Sequence, residues 1–223
     1  MRLRYLFIIT FCLVALVPLA LFWKWPYSKV LDYELDEVKE HHLVIAKNLA
    51  GAFERYHQDV TGVFDILNPN EDNSRLFDLF VSYNFQTIVL SSKEGKIKGC
   101  LFNKDNKCPT KINDDLLSLV KKTVKKDNVT ISTVTQDKSV SSGPILLVVK
   151  PYKDDFLVGY LSTEYIVTMG KRVSFGKKGH AAIVDQEGNL MAHPFDSWIQ
   201  ERKNISKLSV VKKMMSGQTG VEI

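Results

Sequence analysis

Lys150, Tyr152 and Tyr160 are the side chains in this sequence whose types and spacing best suit small-molecule recognition. They fall in two adjacent strand-like runs, PILLVVKPY and FLVGYLS. Side chains alternate along a strand, so Leu146, Val148, Lys150 and Tyr152 share one face, and Phe156, Val158, Tyr160 and Ser162 share one face of the next run. If those two faces line a common pocket, one ammonium and two phenols stand among apolar walls, an arrangement suited to a small anion such as a carboxylate. The competing reading puts Lys150 at a sheet edge and leaves the tyrosines as core residues, because lysine is seldom buried.

Other groupings are poorer in chemistry. His180, Asp185 and His193 suggest a metal site or an acid–base pair. The odd separation of His180 and Asp185, however, sends them to opposite faces of one strand. Asp185 is better read as the residue entering the turn QEGN, and His193 before Pro194 as the end of the returning strand. Glu37 and His41 sit four residues apart on a helix, with His42 and His57 nearby, but two groups do not complete a metal shell. Neither the phosphate-cradling GxxxxGK[ST] pattern nor a GxSxG nucleophile elbow is present. The expectation is no catalytic residue, no metal and no cofactor in this segment.

The elements that hold these residues begin with an apolar run. Residues 5–23, YLFIITFCLVALVPLALFW, carry no charge over 19 positions, close to the roughly 20 that an α-helix needs to cross a bilayer. Arg2 and Arg4 precede it, and Asp32, Glu34, Asp36, Glu37 and Glu40 follow. The positive-inside rule therefore places residues 1–4 in the cytoplasm and those after about 24 in the periplasm or outside the cell. Phe22, Trp23, Trp25 and Tyr27 supply an interfacial aromatic belt. A cleaved signal peptide would need small residues after the apolar run, and FWKWP offers none.

Cys12 lies within that run, which leaves Cys100 and Cys108 as a pair in an oxidising compartment. They flank LFNKDNK, a turn-rich stretch whose ends a hairpin would bring together, and a disulfide is expected. The net charge of +5 comes from 30 basic and 25 acidic residues; without Arg2 and Arg4, 28 face 25, close to balance. Lys121, Lys122, Lys125 and Lys126 fall opposite Leu116, Leu117, Val120 and Val124 on one helix, a solvated face rather than a nucleic-acid surface.

Past the membrane, Leu31, Leu35, Val38, His42, Ile45, Leu49, Ala52 and Tyr56 recur in steps of four and three. This heptad-like seam predicts a long stalk helix over 24–67, ending before Asn68 and Pro69. The seam suits either parallel dimerisation or packing on the chain's own body. Ser74–Tyr83 reads as a short helix with Ser74 as cap, TIVLSS and KIKGCLF as a hairpin, and NDDLLSLVKKTVKK as a helix capped by Asn113. VTISTVTQ, PILLVVKPY and FLVGYLS read as three further strands. Together they make an α+β unit with an antiparallel sheet over 68–168. From 169 a connecting helix leads into a second hairpin, GHAAIVD–QEGN–LMAHP, a helix near Leu208–Met215, and VEI as a strand just beginning. The expectation is the N-terminal part of a longer protein.

These segments resemble the double Cache family of bacterial receptor ectodomains, two PAS-like modules stacked on one long N-terminal helix. The likeness is most specific in GKKGHAAIVDQEGNLMAHP, Gly176–Pro194, and extends to FLVGYLSTEYI, Phe156–Ile166, and NISKLSVVKKMMSGQTG, Asn204–Gly220. It implies ligand binding in the membrane-distal module and transmission to a cytoplasmic output of histidine kinase, diguanylate cyclase or chemoreceptor type. The amino-acid-binding members begin their motif Arg-x-Trp-Tyr, and no such run exists between Ser74 and Ile166. Where those members place a ligand-holding aspartate, this chain has Tyr160 and Leu161. A ligand-sensing receptor segment is thus expected, with a membrane-anchored interaction module lacking a small-molecule ligand as the alternative.

Overall fold

The computed structural model describes residues 2–104, 108–125, 128–175 and 179–219. The expected strand VEI and Lys126 lie outside them, as does the side chain of His180. The chain divides into two compact units, residues 1–47 and the body from Asn48 onward.

The first unit is the N-terminal part of helix α1 (Arg2–Asp65). Within it, Leu3–Leu21 is long and apolar enough to cross a membrane, and none of it is buried. Further along, Leu31, Leu35 and Val38 are 45%, 38% and 50% exposed.

The body opens with the end of α1, followed by a 3-10 turn at Ser74–Leu76 and helix α2 (Phe77–Ser82). Strands β1 (Phe85–Ser92) and β2 (Ile97–Asn103), helix α3 (Asp114–Thr123), and strands β3 (Thr130–Ile131), β4 (Ile145–Tyr152) and β5 (Asp155–Ser162) come next. They build one antiparallel sheet in the order β2-β1-β5-β4-β3. Helix α4 (Glu164–Arg172) then leads to the pair β6 (Ser174–Phe175) and β7 (Gly179–His180), the pair β8 (Ile183–Val184) and β9 (Leu190–Ala192), and helices α5 (Asp196–Gln200) and α6 (Ser209–Met215).

The sheet is covered on both faces, which explains the near-continuous apolar runs of β4 and β5. On one face Val60 and Phe64 of α1 and Phe80 of α2 pack on Ile88, Val148, Leu157 and Leu161. Gly159 permits this close approach, since a Cβ there would lie 2.7 Å from the rings of both Phe64 and Phe85. On the other face Leu116, Leu117 and Val120 of α3 cover Val89, Leu147, Val149, Val158 and Tyr160. Within the body the seam position Tyr56, with Phe53 and Val63 on the same helix, packs on the sheet's core. Tyr56 also stacks on Tyr165 at 4.4 Å and donates to the carbonyl of Tyr83 at 3.0 Å.

Helix α3 starts where Asn113 accepts the N–H of Leu116 at 2.8 Å, with Asp114 and Asp115 in its first turn and Lys121 and Lys122 in its last. Those charges complement the helix dipole at each end. Two local expectations fail. Ser74 does not cap a helix; instead it donates its N–H and hydroxyl to Asp72, at 2.9 and 3.0 Å. The run VTISTVTQ forms only the two-residue β3, because the Ser132 hydroxyl accepts the N–H of Leu147 at 2.9 Å in place of a main-chain carbonyl. Regular pairing is broken there, and contact resumes at Thr135 with Ile145.

Candidate ligand-binding site

Lys150, Tyr152 and Tyr160 do not line one pocket. The β4–β5 turn, Lys153–Asp154, pairs Tyr152 with Asp155, so every even position of β4 faces an odd position of β5: Lys150 opposite Leu157, Leu147 opposite Tyr160. Antiparallel partners share a face. Lys150 and Tyr152 are therefore on the α1 side and Tyr160 on the α3 side. The alternation along each run holds, but the register across the turn separates the two sets.

Each of the three has its own surroundings. The Lys150 ammonium lies 3.0 Å from the Asp65 carboxylate and also donates to the Asp65 carbonyl, so it holds the C-terminal end of α1, where the helix dipole favours a cation. The Tyr152 hydroxyl accepts from the Asn70 amide at 2.6 Å and donates to the Asn68 side chain at 3.4 Å, bracing the loop after α1. Tyr160 is fully buried, and its hydroxyl has no hydrogen-bond partner. Burial, with a smaller contribution from Asp137, pushes its pKa well above the usual tyrosine value.

The second hairpin is organised by Asp185. Its carboxylate accepts the N–H groups of Glu187 and Asn189, both at 2.9 Å, and the side-chain amide of Asn189. The turn closes through Gly188 at φ +83°, a left-handed conformation that glycine adopts without strain. The other carboxylate oxygen accepts the N–H of Val134 at 2.9 Å, tying this turn to the end of the first sheet. His193 is buried, accepts the N–H of Phe195 at 3.1 Å and stacks on Trp198 at 4.6 Å. Among the described residues no three His, Cys, Asp or Glu side chains converge as a metal would require. Cys100 and Cys108 are joined by a disulfide, with Cα atoms 6.3 Å apart.

A cavity lies elsewhere, as a groove of about 840 Å³ along the outer edge of β3. One wall is the last turns of α1, with His57, Thr61 and Asp65; the other is the end of α3, with Lys122 and Thr123, and Lys125 just beyond it. Residues 128–133 form the floor, and Gln186 and Glu187 of the second hairpin close one side. Its volume falls within the roughly 300–1,000 Å³ of ligand clefts. Three of its charges are already paired: Lys122 meets Glu187 at 2.8 Å, and Asp65 meets Lys150. The sequence marked none of these residues as a ligand site: it offered His57 as one of a few scattered histidines, Lys122 and Lys125 as a solvated helix face, and Gln186 and Glu187 as part of a turn. The available signal was the polar, β-branched run NVTIST, too hydrophilic for a buried strand and thus marking an exposed edge.

No protein-family model matches the chain, and no curated protein matches it. Solved structures do. A domain of a sensory box/GGDEF family protein from Vibrio parahaemolyticus aligns over 84% of this chain and 87% of its own, with a TM-score of 0.61 and 13% identity. The ligand-binding domain of the Pseudomonas aeruginosa amino-acid chemoreceptor PctB, solved with L-Arg, aligns over 79% and 70% with a TM-score of 0.54 and 18% identity. The same domain with L-Gln gives 0.50 over 79% and 72%, again at 18% identity. The likeness is one of fold: a mixed α+β body with a long N-terminal helix and an antiparallel PAS-like sheet, the fold of Cache-type sensor domains.

Proposed function

We propose that this chain is the extracytoplasmic ligand-sensing region of a transmembrane signal-transduction receptor of the histidine kinase, diguanylate cyclase or chemoreceptor type. The observation that carries this reading is the fold shared with the GGDEF-protein domain and the PctB ligand-binding domain. In this proposal Leu3–Leu21 spans the inner membrane, Arg2 and Arg4 hold the N-terminus in the cytoplasm, and the body lies outside. Residues 68–168 form the membrane-distal module and 169–223 open the membrane-proximal one. The exposed seam Leu31, Leu35 and Val38 meets its twin in a parallel homodimer. The ligand is a small molecule seated in the groove along β3, where the end of α1, the first sheet and the second hairpin line a common open space.

The test is a thermal-shift screen of the full chain in nanodiscs against amino acids, small organic acids and short peptides. A ligand at 100 times its Kd adds about 2.7 kcal/mol to the stability of the form that binds it. At least one compound is expected to raise Tm in a saturable way. A screen in which none does would overturn the sensing role.

A further inference from the structure

The edge of β3 is an unusual wall for a ligand groove. Thr130 pairs with Val149 and Ile131 with Val148, and the N–H of Ser132 donates to the carbonyl of Leu147 at 2.9 Å. Antiparallel ladders alternate, so 130 and 132 turn their main-chain groups toward β4. Ile131, and by the same alternation Val129, turn theirs away from β4 and into the groove. No hydrogen bond reaches the outward N–H or C=O of Ile131 from any described residue.

The opposite edge of the sheet is treated differently. There β2 pairs with β1 through two register shifts, carries Lys98 bound to Asp155 at 2.7 Å, and is cross-linked through Cys100 to Cys108. Bulges, charges and cross-links are the ordinary means by which an edge strand is kept from pairing with another chain. Along 129–131 the β3 edge has none of them; the groove walls flank it instead and leave room beside it.

Three residues past β3 a carboxylate already takes a main-chain N–H: Asp185 accepts from Val134. Among the charged groups of the groove, Glu187 and Asp65 already have lysine partners, whereas Lys125 meets no carboxylate among the described residues. The groove therefore offers a free main-chain donor and acceptor, an ammonium elsewhere on its lining, and the amides of Gln58, Asn128 and Gln186.

We infer that the groove takes a short extended peptide carrying a carboxylate, which adds a strand beside β3 through the N–H and C=O of Ile131 and sets its carboxylate near Lys125. Strand addition of this kind draws affinity from the main chain and specificity from flanking pockets. The inference rests on the sensing role proposed above and assigns its ligand class.

The experiment uses the full chain in nanodiscs with a library of free tetrapeptides, retained species being identified by mass spectrometry and then titrated singly. The tightest peptide is compared with its analogue N-methylated at alternate amides and with its C-terminal amide. Expected are a tenfold or greater loss of affinity on N-methylation, a clear loss on amidation or with Lys125→Ala, and a tenfold loss with Ile131→Pro. Proline is tolerated at an edge position whose N–H is not in the ladder, and if that variant does not fold, the N-methyl peptides still decide. Binding indifferent to N-methylation would overturn the inference, as would a screen in which amino acids or organic acids stabilise the chain and no tetrapeptide does. That second result leaves the sensing role standing; silence from every compound removes both.

Discussion

The carboxylate of Asp185 accepts the main-chain N–H of Val134 at 2.9 Å, so a turn in the second hairpin holds the end of the first sheet's edge strand. The same carboxylate caps its own turn at Glu187 and Asn189. One side chain thus links the segment that follows β3 to the second hairpin, whose Gln186 and Glu187 line the groove.

Removing that carboxylate leaves at least three N–H groups short of a partner. Asp185→Ala is expected to cost about 2–4 kcal/mol, since each hydrogen bond to a charged group contributes about 1.5–3 and water recovers part of it. The neighbouring pair Lys122–Glu187 is exposed on both sides, and Lys122→Ala should cost under about 1 kcal/mol. Urea unfolding of the two variants checks the order; equal losses would mean that Asp185 is not the principal tie.

Tyr160 carries a buried hydroxyl without a partner. Tyr160→Phe should be neutral or stabilising by about 1 kcal/mol, because it deletes a desolvated polar group and keeps the ring. Lys150→Ala should destabilise by about 1 kcal/mol through the lost contact with the end of α1. As the two side chains are on opposite faces of the sheet, the double variant should equal the sum within about 0.5 kcal/mol. Coupling well beyond that would place them in one site after all.

Burial raises the pKa of both Tyr56 and Tyr160 above the ordinary 10.0. A group whose folded pKa is raised contributes stability that is complete below its unfolded pKa and is lost as pH rises through the folded one. Stability should therefore be level below about pH 10 in this respect and fall above it. In Tyr160→Phe the fall should be shallower, measured by urea titrations at stepped alkaline pH.

The bond between Cys100 and Cys108 closes a short loop, for which the chain-entropy estimate is about 2–3 kcal/mol. Thiol labelling of denatured, unreduced chain should modify Cys12 alone, and all three cysteines after reduction. Modification of all three without reductant would exclude the bridge.

For the proposed dimer, cysteine placed at Leu35 or Val38 should crosslink to its twin in membranes. Crosslinking at neighbouring polar positions and at neither of these would move the interface off the seam.

Much of the architecture was legible in the sequence because its causes are local. An uncharged run of 19 residues, a period of three and four from Leu31 to Tyr56, Asn113 ahead of two aspartates, and two apolar runs parted by Lys153–Asp154 each specify an element through propensity, capping or turn chemistry. Asp185 as a turn residue was legible for the same reason, since its bonds to 187 and 189 lie within its own turn. The site was not. Alternation fixes which residues share a face of one strand, but which faces of two strands coincide depends on register, and the turn at 153–154 set Lys150 and Tyr160 on opposite sides. Likewise, the groove is made by residues near 60, 122, 131 and 186, brought together because α1 and α3 cover opposite faces of the sheet and leave the edge of β3 between them. Burying those two apolar faces is a property of the whole chain, and only the tertiary structure decides what open space remains beside them.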